Sequence, residues 1–261
     1  MSRELDTPRD VDDLYLARAD DVQLFRPIMT GDVFSGVEIP GVDDEGENLA
    51  MITTHPCSMR RDQGRLKEKV TIARVKPATA FPLRSWPKMF PKQMPLPELR
   101  GESDEGFYLA DLEETGRVGT DNLAYNRRIA CLSDYGLLLM LQRLVFAYTR
   151  EIVDIATLMK VTKHVLEEAA LLEEWNEQVI PTTDGPAVLE RLLLEGPEFD
   201  RLLSRVVSDA SGRSYTLRED LRDPSRRPAV RRAVVAAIRE RKDQLDVVLP
   251  SDEAVGQNET T

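Results

Sequence analysis

The sequence predicts an α+β fold, in which a small N-terminal β-barrel is followed by a C-terminal helical region. Five short β-prone runs lie between residues 33 and 132, and no proline or glycine occurs from Leu137 to Ile180. A chain of 261 residues also exceeds the commonest single-domain size, which favours two structural units. We therefore expect an irregular acidic lead-in over 1–29, a β-barrel domain over 30–133, a helical domain over 134–249 and a disordered tail over 250–261.

The predicted strands are short runs of β-branched and apolar residues, separated by turn signals such as Pro40-Gly41. They cover Val33–Ile39, Leu49–Thr54, Val70–Val75, Phe107–Leu112 and Arg128–Leu132. Short strands joined by turn-rich loops are typical of a small barrel.

A proline-rich stretch from Pro77 to Pro97 interrupts these strands. It holds six prolines, interleaved with Phe81, Trp86 and Phe90. Proline at this density removes backbone donors and excludes a regular helix or a central strand. The stretch is predicted to be a long extended loop.

Helices are predicted after Ser133-Asp134, which suits a helix N-cap. The following 44 residues without a helix breaker indicate either one very long helix or two helices that meet near Thr149 to Glu151. Later helices are expected to begin near Pro186 and Pro197, because proline suits a first helical turn. A final helix is expected from about Pro228 to Leu245.

Composition narrows the classes of protein and the kinds of site. The most apolar run, Leu137–Tyr148, falls short of the roughly 20 residues that span a bilayer, and residues 1–6 lack the features of a secretory signal. We therefore expect a cytoplasmic protein. Cys57 and Cys131 are expected to be free thiols, and with His55 and His164 they show no paired ligand spacing. No metal or other cofactor is predicted.

Charge is unevenly distributed along this acidic chain, whose net charge is −11. Residues 1–50 carry a net charge of −9, whereas residues 51–100 carry +8. A second basic island spans residues 213–242. Its final helix is either a phosphate-contacting helix or an ordinary amphipathic helix with a basic outer face.

Several segments of the first half resemble a known family. Gly31-Asp32-Val33-Phe34, the strands Leu49–Thr54 and Val70–Val75, and the arginine-rich turn 126–128 before a helix are similar to the small barrel of MazF/PemK-type toxins. The resemblance covers about residues 26–148. It implies an SH3-like barrel, nucleic acid as the ligand, and a role in a toxin-antitoxin system or in defence.

The chain departs from the catalytic pattern of that family. Its endoribonucleases usually carry an arginine-arginine-proline element before the second strand and a threonine or serine after the third. This chain has Gly46-Glu47-Asn48 and Ala73-Arg74-Val75 at those places. The resemblance therefore implies weak or absent RNA cleavage.

The segment 53–61 holds the densest group of reactive side chains, and His55, Cys57 and Arg60 are its catalytic candidates. Nearby cations favour the reactive thiolate form of a cysteine, and arginines bind phosphate by bidentate hydrogen bonds. The alternative is a strand end with a packed cysteine and two solvated arginines.

The first basic island, residues 51–100, supplies the candidates for binding single-stranded nucleic acid. Cations neutralise phosphates, and aromatic faces stack on unpaired bases with a gain of about 1–3 kcal/mol each. The alternative is that the aromatic rings anchor the proline-rich loop to the barrel. The candidate residues are Arg60, Arg61, Arg65, Lys67, Lys69, Arg74, Trp86 and Lys88.

Two functions follow from these patterns. The first is a nucleic-acid-interacting, toxin-like or defence-related protein with weak or no endoribonuclease activity. The alternative is a non-enzymatic adaptor that docks onto a protein partner through its helical half. A nucleic-acid binder should group Arg60, Arg61, Arg65, Lys67 and Trp86 on one face, whereas an adaptor should expose a contiguous apolar stripe on its helices.

Overall fold

The chain has a mixed α/β fold built on a curled antiparallel sheet that forms a half-barrel. The computed structural model describes residues 4–41, 47–60, 66–180, 185–208, 212 and 214–248. The chain divides into two compact units, Met1–Ala170 and Leu171–Thr261.

The sheet belongs to the first unit and has seven strands in the described part of the chain. Neighbouring strands are antiparallel, in the order β1-β7-β2-β3-β4-β6-β5. The strands are β1 (Tyr15–Arg18), β2 (Val33–Phe34), β3 (Leu49–Ile52), β4 (Lys69–Pro77), β5 (Gln93–Pro97), β6 (Phe107–Gly119) and β7 (Arg128–Leu132).

The helices are α1 (Pro56–Met59), α2 (Trp86–Met89), α3 (Asp134–Thr149), α4 (Ile155–Val179), α5 (Gly185–Leu203), α6 (Leu217–Asp220) and α7 (Arg227–Val248). Among the described residues, no helix is long and apolar enough to cross a membrane.

The curl of the sheet brings side chains of its first edge strand to the end of its last. Tyr15 Oη donates to the carbonyl of Pro97 at 2.9 Å. Arg18 Nη1 donates to the carbonyl of Glu98 at 3.3 Å and pairs with its carboxylate at 3.0 Å. We call these contacts the seam.

Each face of the sheet carries its own hydrophobic core. Alternation along β4 explains this, because Val70 and Ile72 enter one cluster while Ala73 and Val75 enter the other. Helix α3 packs on the cluster that contains Ala73 and Val75, through its buried residues Leu137–Leu141.

The start of α3 lies close to the chain before β1. Ser133 Oγ caps the helix by accepting from the Gly136 N–H at 2.9 Å, and the Ser133 N–H donates to the Leu14 carbonyl at 2.9 Å. A Cβ on Gly136 would lie 2.1 Å from that carbonyl oxygen, so only glycine fits there. The helix ends at Thr149, where Arg150 takes a left-handed conformation with φ 64°. Two helices therefore follow the sheet, as in the second of the alternatives predicted.

The second unit consists of helices and the hairpin β8 (Val206–Ser208) and β9 (Ser214–Thr216). Its core includes Trp175, Phe199 and Val234. Arginines of the second basic island pair with carboxylates of this unit, so they stabilise its packing. The pairs are Arg218–Asp200 (2.7 Å), Arg226–Asp220 (3.0 Å), Arg231–Glu174 (2.9 Å) and Arg241–Glu195 (2.9 Å).

Each predicted strand overlaps an observed one, but four described strands occur where none was predicted. Two of them, β8 and β9, pair with each other inside the predicted helical domain 134–249. The lead-in 1–29 contains β1, which is extended because β7 pairs with it. The predicted loop 77–97 contains α2 and β5. Strand β5 tolerates Pro95 and Pro97 because it lies at the edge of the sheet, where alternate residues need no donor.

One predicted helix start is wrong. Pro197 lies inside α5 instead of opening a new helix. The buried residues Leu192, Phe199 and Leu203 continue along one face of α5 across the proline. Their packing outweighs the hydrogen bond that the proline removes. The predicted tail 250–261 lies outside the described residues.

Candidate nucleic-acid interface

Three strands bring half of the ten candidate residues to one end of the sheet. Strand β3 ends beside the start of β4, and β6 ends there too, since Ile52 pairs with Ile72 and Lys69 with Gly119. After β3, the N–H groups of Thr53 and Thr54 both donate to the Thr71 carbonyl, at 2.9 and 3.3 Å. We call this region the basic end, consisting of His55, Cys57, Arg60, Lys67, Lys69 and Arg117.

His55 acts as the N-cap of the short helix α1. Its Nδ1 accepts a hydrogen bond from the Cys57 backbone N–H at 3.2 Å. Partial burial lowers the pKa of His55, which favours the neutral ring that this acceptor role requires. Because Nδ1 is used for capping, it is not placed to accept a proton from the exposed thiol of Cys57.

Arg60 holds a loop against the sheet. The side chain is half-buried, and its Nη2 donates to the carbonyl of Ile28 at 3.0 Å. Burial raises the pKa of the neighbouring Tyr125 hydroxyl, and the charges of Arg60 and Arg128 offset part of that rise. Arg60 is therefore a structural cation, unlike the solvated arginine of the alternative interpretation.

A buried ion pair next to this loop was not predicted from the sequence. Arg128 pairs with Asp32 at 3.0 Å, and both side chains are fully buried. The guanidinium also donates to three carbonyls of the loop before β2, those of Gln23, Arg26 and Pro27, at 2.7, 2.9 and 3.3 Å. The pair links two of the segments that carry the family resemblance, Gly31–Phe34 and the arginine-rich turn.

The buried thiol of Cys131 lies beside this pair. Burial, with a smaller contribution from the Asp32 carboxylate, raises the pKa of Cys131 far above its usual range. A thiol kept protonated and away from solvent is chemically inert. Cys131 therefore belongs to the core.

Lys69 and Arg117 are the exposed cations of the basic end. Because Thr71 pairs with Arg117 and Lys69 with Gly119, the two cations are diagonal neighbours on adjacent strands. Lys67 is half-buried next to them, and its N–H donates to the Met59 carbonyl at 2.8 Å. Within the described residues, none of these three side chains forms an ion pair with a carboxylate.

Arg117 was missed because it lies outside the predicted strand Phe107–Leu112. Residues 113–119 contain a single apolar side chain, Val118, so the sequence shows no alternation that would extend the strand to Arg117. Strand β6 extends to Gly119 because β4 pairs with it over this length.

Other cations of the first basic island form ion pairs with carboxylates at a bulge in β6. The register shifts between Ala73, which pairs with Thr115, and Arg74, which pairs with Asp111. The extra residues of the bulge turn carboxylates toward β4 and β5. The ion pairs are Arg74–Glu114 (3.6 Å), Lys76–Glu114 (3.2 Å), Lys76–Asp111 (3.2 Å) and Lys92–Glu113 (2.7 Å).

Trp86 is in the core and not at the basic end. Its side chain is 1% exposed, its Nε1 donates to the Phe81 carbonyl at 3.1 Å, and its ring packs edge-on against Phe107 at 6.2 Å. Phe107 and Arg117 lie at opposite ends of β6, on the order of 30 Å apart at about 3.4 Å per residue. A buried ring cannot stack on a base, so the aromatic residues anchor the proline-rich segment.

The structure thus brings only some of the predicted binding residues together. Arg60, Lys67 and Lys69 meet at the basic end, whereas Arg74 is paired with a carboxylate of the bulge. Lys88 is exposed on α2, the helix that Trp86 begins. Arg61 and Arg65 lie outside the described residues.

No family model matches the chain, and no curated protein sequence matches it. Across the residues that the structure describes, no group of three or more His, Cys, Asp or Glu side chains could hold a metal ion.

Proposed function

We propose that the chain binds single-stranded nucleic acid through phosphate contacts at the basic end, as a toxin-like or defence-related protein on a MazF/PemK-like, SH3-like barrel. One contrast supports this proposal. Lys67, Lys69 and Arg117 form no ion pair with any described carboxylate, while Lys76 and Lys92 of the same island are paired. An otherwise acidic protein thus keeps a local positive surface at one end of its sheet.

The spacing of the exposed cations suits a phosphate backbone. Diagonal neighbours on adjacent antiparallel strands lie about 7–8 Å apart, so Lys69 and Arg117 repel each other weakly in the free protein. A phosphate between them would relieve that repulsion and release counterions. Thr71, which lies opposite Arg117, adds a hydroxyl donor on the same face.

Binding without efficient cleavage is the form of this function that the geometry favours. His55 Nδ1 is used for capping, and Arg60 Nη2 is used by the Ile28 carbonyl. Metal-independent cutting of single-stranded RNA by nuclease-free protein, abolished in Arg60→Ala, would contradict this part of the proposal.

The alternative adaptor function has less support. The large apolar side chains that α4 exposes are Met159 (43%) and Val161 (51%). Two residues along a helix correspond to a rotation of about 200°, so these side chains lie on nearly opposite faces. They do not form the contiguous stripe that docking by this helix requires.

A charge-matched pair of variants tests the binding proposal. Lys67→Ala/Lys69→Ala/Arg117→Ala removes three cations of the basic end, and a control removes three cations that lie outside it, Arg84→Ala/Lys88→Ala/Lys92→Ala. Affinity for labelled single-stranded RNA, single-stranded DNA and duplex DNA is measured by fluorescence anisotropy over a range of salt concentrations.

The basic-end variant should bind all single-stranded sequences more weakly. Its slope of log affinity against log salt should flatten by about 2, at roughly 0.7 for each lost phosphate contact. The control should keep the original slope. Equal slopes in all three proteins, with unchanged circular dichroism, would show that the basic end is only a solvated surface.

A further inference from the structure

The chain before β1 lies along α3 and is held there by polar contacts to two consecutive residues, Asp6 and Thr7. The Asp6 N–H donates to Gln142 Oε1 at 2.7 Å, and Gln142 Nε2 donates to the Asp6 carboxylate at 2.8 Å. Gln142 Nε2 also donates to the Val153 carbonyl at 2.8 Å, which fixes the orientation of the amide. Gln142 itself is completely buried.

Two further side chains of α3 bind the main chain of this segment. Arg143 Nη2 donates to the Asp6 carbonyl at 3.0 Å, and Tyr135 Oη donates to the Thr7 carbonyl at 3.1 Å. On either side, Leu5 and Pro8 are buried. The N–H, the carbonyl and the carboxylate of Asp6 are therefore each bound by α3, between two apolar anchors.

The guanidinium of Arg143 makes this surface costly to leave empty. It is fully buried, and burial lowers its pKa to about 10, with the Asp6 charge offsetting part of the effect, so it stays charged at neutral pH. Within the described part of the chain, its Nη1 donates only to the helix carbonyl of Leu139, at 3.2 Å. Loss of the segment would leave Arg143 with the Leu139 carbonyl and Gln142 with the Val153 carbonyl. Each side chain would lose its hydrogen bonds to Asp6, which is unfavourable.

We infer that this surface of α3 is a peptide-recognition site for an extended Leu-Asp-Thr-Pro segment, occupied by the chain's own residues 5–8. The recognition is local, because the polar contacts fall on two consecutive residues, and the link Arg9-Asp10 is exposed. The same segment supplied in trans should therefore occupy the site. This inference is independent of the nucleic-acid proposal.

Cleavage of the exposed link tests the inference on the full chain. A protease recognition sequence is inserted between Arg9 and Asp10, and the folded protein is cut and passed over a gel-filtration column. The fragment 1–9 should co-elute with the rest of the chain. An excess of labelled peptide 1–9 should then replace it at one peptide per chain.

Two substituted peptides provide specificity and a control. Asp6→Ala should weaken uptake by about tenfold or more, since hydrogen bonds to a charged group are lost. Glu4→Ala, which removes an exposed carboxylate, should leave uptake unchanged. The inference is overturned if the folded, cut protein loses the fragment and takes up no peptide, or if the Asp6→Ala peptide binds equally well. Unfolding that excess peptide does not reverse would also overturn it, since the segment would then be an integral part of the core.

Discussion

Gly136→Ala is the substitution whose effect the structure defines most directly. The new Cβ would lie 2.1 Å from the Leu14 carbonyl oxygen, whereas ordinary contacts begin near 3.4 Å. Helix α3 and the chain before β1 must therefore separate by about 1 Å, at an overpacking cost of about 1–3 kcal/mol. The shift also weakens the hydrogen bond from the Ser133 N–H to Leu14, which contributes about 1 kcal/mol.

The helix propensity of alanine offsets part of this loss. Alanine is favoured over glycine inside a helix by about 1 kcal/mol. The net loss in the free energy of unfolding is therefore about 2 kcal/mol, which lowers Tm by roughly 4–8 °C for a unit of this size. Urea denaturation and calorimetry measure the two quantities.

Gly119→Ala at the end of β6 is the control. Apart from its chain neighbours, the nearest atom to a Cβ built at this position is Asn122 Nδ2 at 3.6 Å, which is an ordinary contact. The variant should match the stability of the unchanged chain to within about 0.5 kcal/mol. If Gly136→Ala were as stable as Gly119→Ala, the close approach of α3 to Leu14 would be refuted.

Three further variants test the site. Partial burial lowers the pKa of His55, so the stability contributed by its neutral ring is present above the unfolded pKa of 6.5 and is lost as pH falls through the folded pKa. Because asparagine also caps helices, His55→Asn should keep the cap, and its Tm should fall less than that of the unchanged chain between about pH 7.5 and pH 5. Asp32→Ala leaves Arg128 buried without its counter-charge, so the free energy of unfolding measured with urea should fall by about 3–5 kcal/mol. Asp32→Ala/Arg128→Met should recover part of that loss. Equal stability of Asp32→Ala and the parent would contradict the buried pair. Trp86→Ala should cost about 3–5 kcal/mol of stability yet leave the affinity of the folded protein for single-stranded RNA unchanged, whereas a loss of about 1–3 kcal/mol in binding would return Trp86 to the interface.

The strands show what local pattern can and cannot predict. Runs such as Val70–Val75 are recognisable because β-branched residues alternate between two buried faces. Strand β1, Tyr-Leu-Ala-Arg, has no such pattern and is extended only because β7 pairs with it. Strand β5 was hidden by its prolines, since only its place at the sheet edge makes them compatible with pairing. Both missed strands of the sheet therefore depend on tertiary position, and the short strands β8 and β9 are extended because they pair with each other.

Charge along the sequence proved to be a poor guide to charge on the surface. The basic stretch of residues 51–100 suggested one continuous binding strip, but β6 supplies carboxylates to its middle. The bulge that brings them there has no sequence signature that we recognised. Lys67 and Lys69 were predicted as binding residues, whereas Arg117 joins them only through strand pairing across the sheet.

The candidate catalytic residues show a similar limit. Proximity in sequence placed His55, Cys57 and Arg60 together, but it gave no information about which atoms their hydrogen bonds would use. His55 Nδ1 accepts the hydrogen bond that caps α1, and Arg60 Nη2 donates to the Ile28 carbonyl. Both bonds are to backbone groups, which no pattern of side-chain types reveals.

The seam and the pairing of β1 with β7 have a consequence for synthesis of the chain. Strand β1 is made early, yet its partners are Pro97, Glu98 and strand β7, whose last residue is Leu132. At about 5–20 residues per second, β1 waits roughly 6–20 s on the ribosome before β7 has been made. Through that interval Leu16, which remains 54% exposed in the finished fold, belongs to an unpaired strand edge. The acidic residues around it, Asp10, Asp12, Asp13, Asp20 and Asp21, would oppose premature association with other nascent chains.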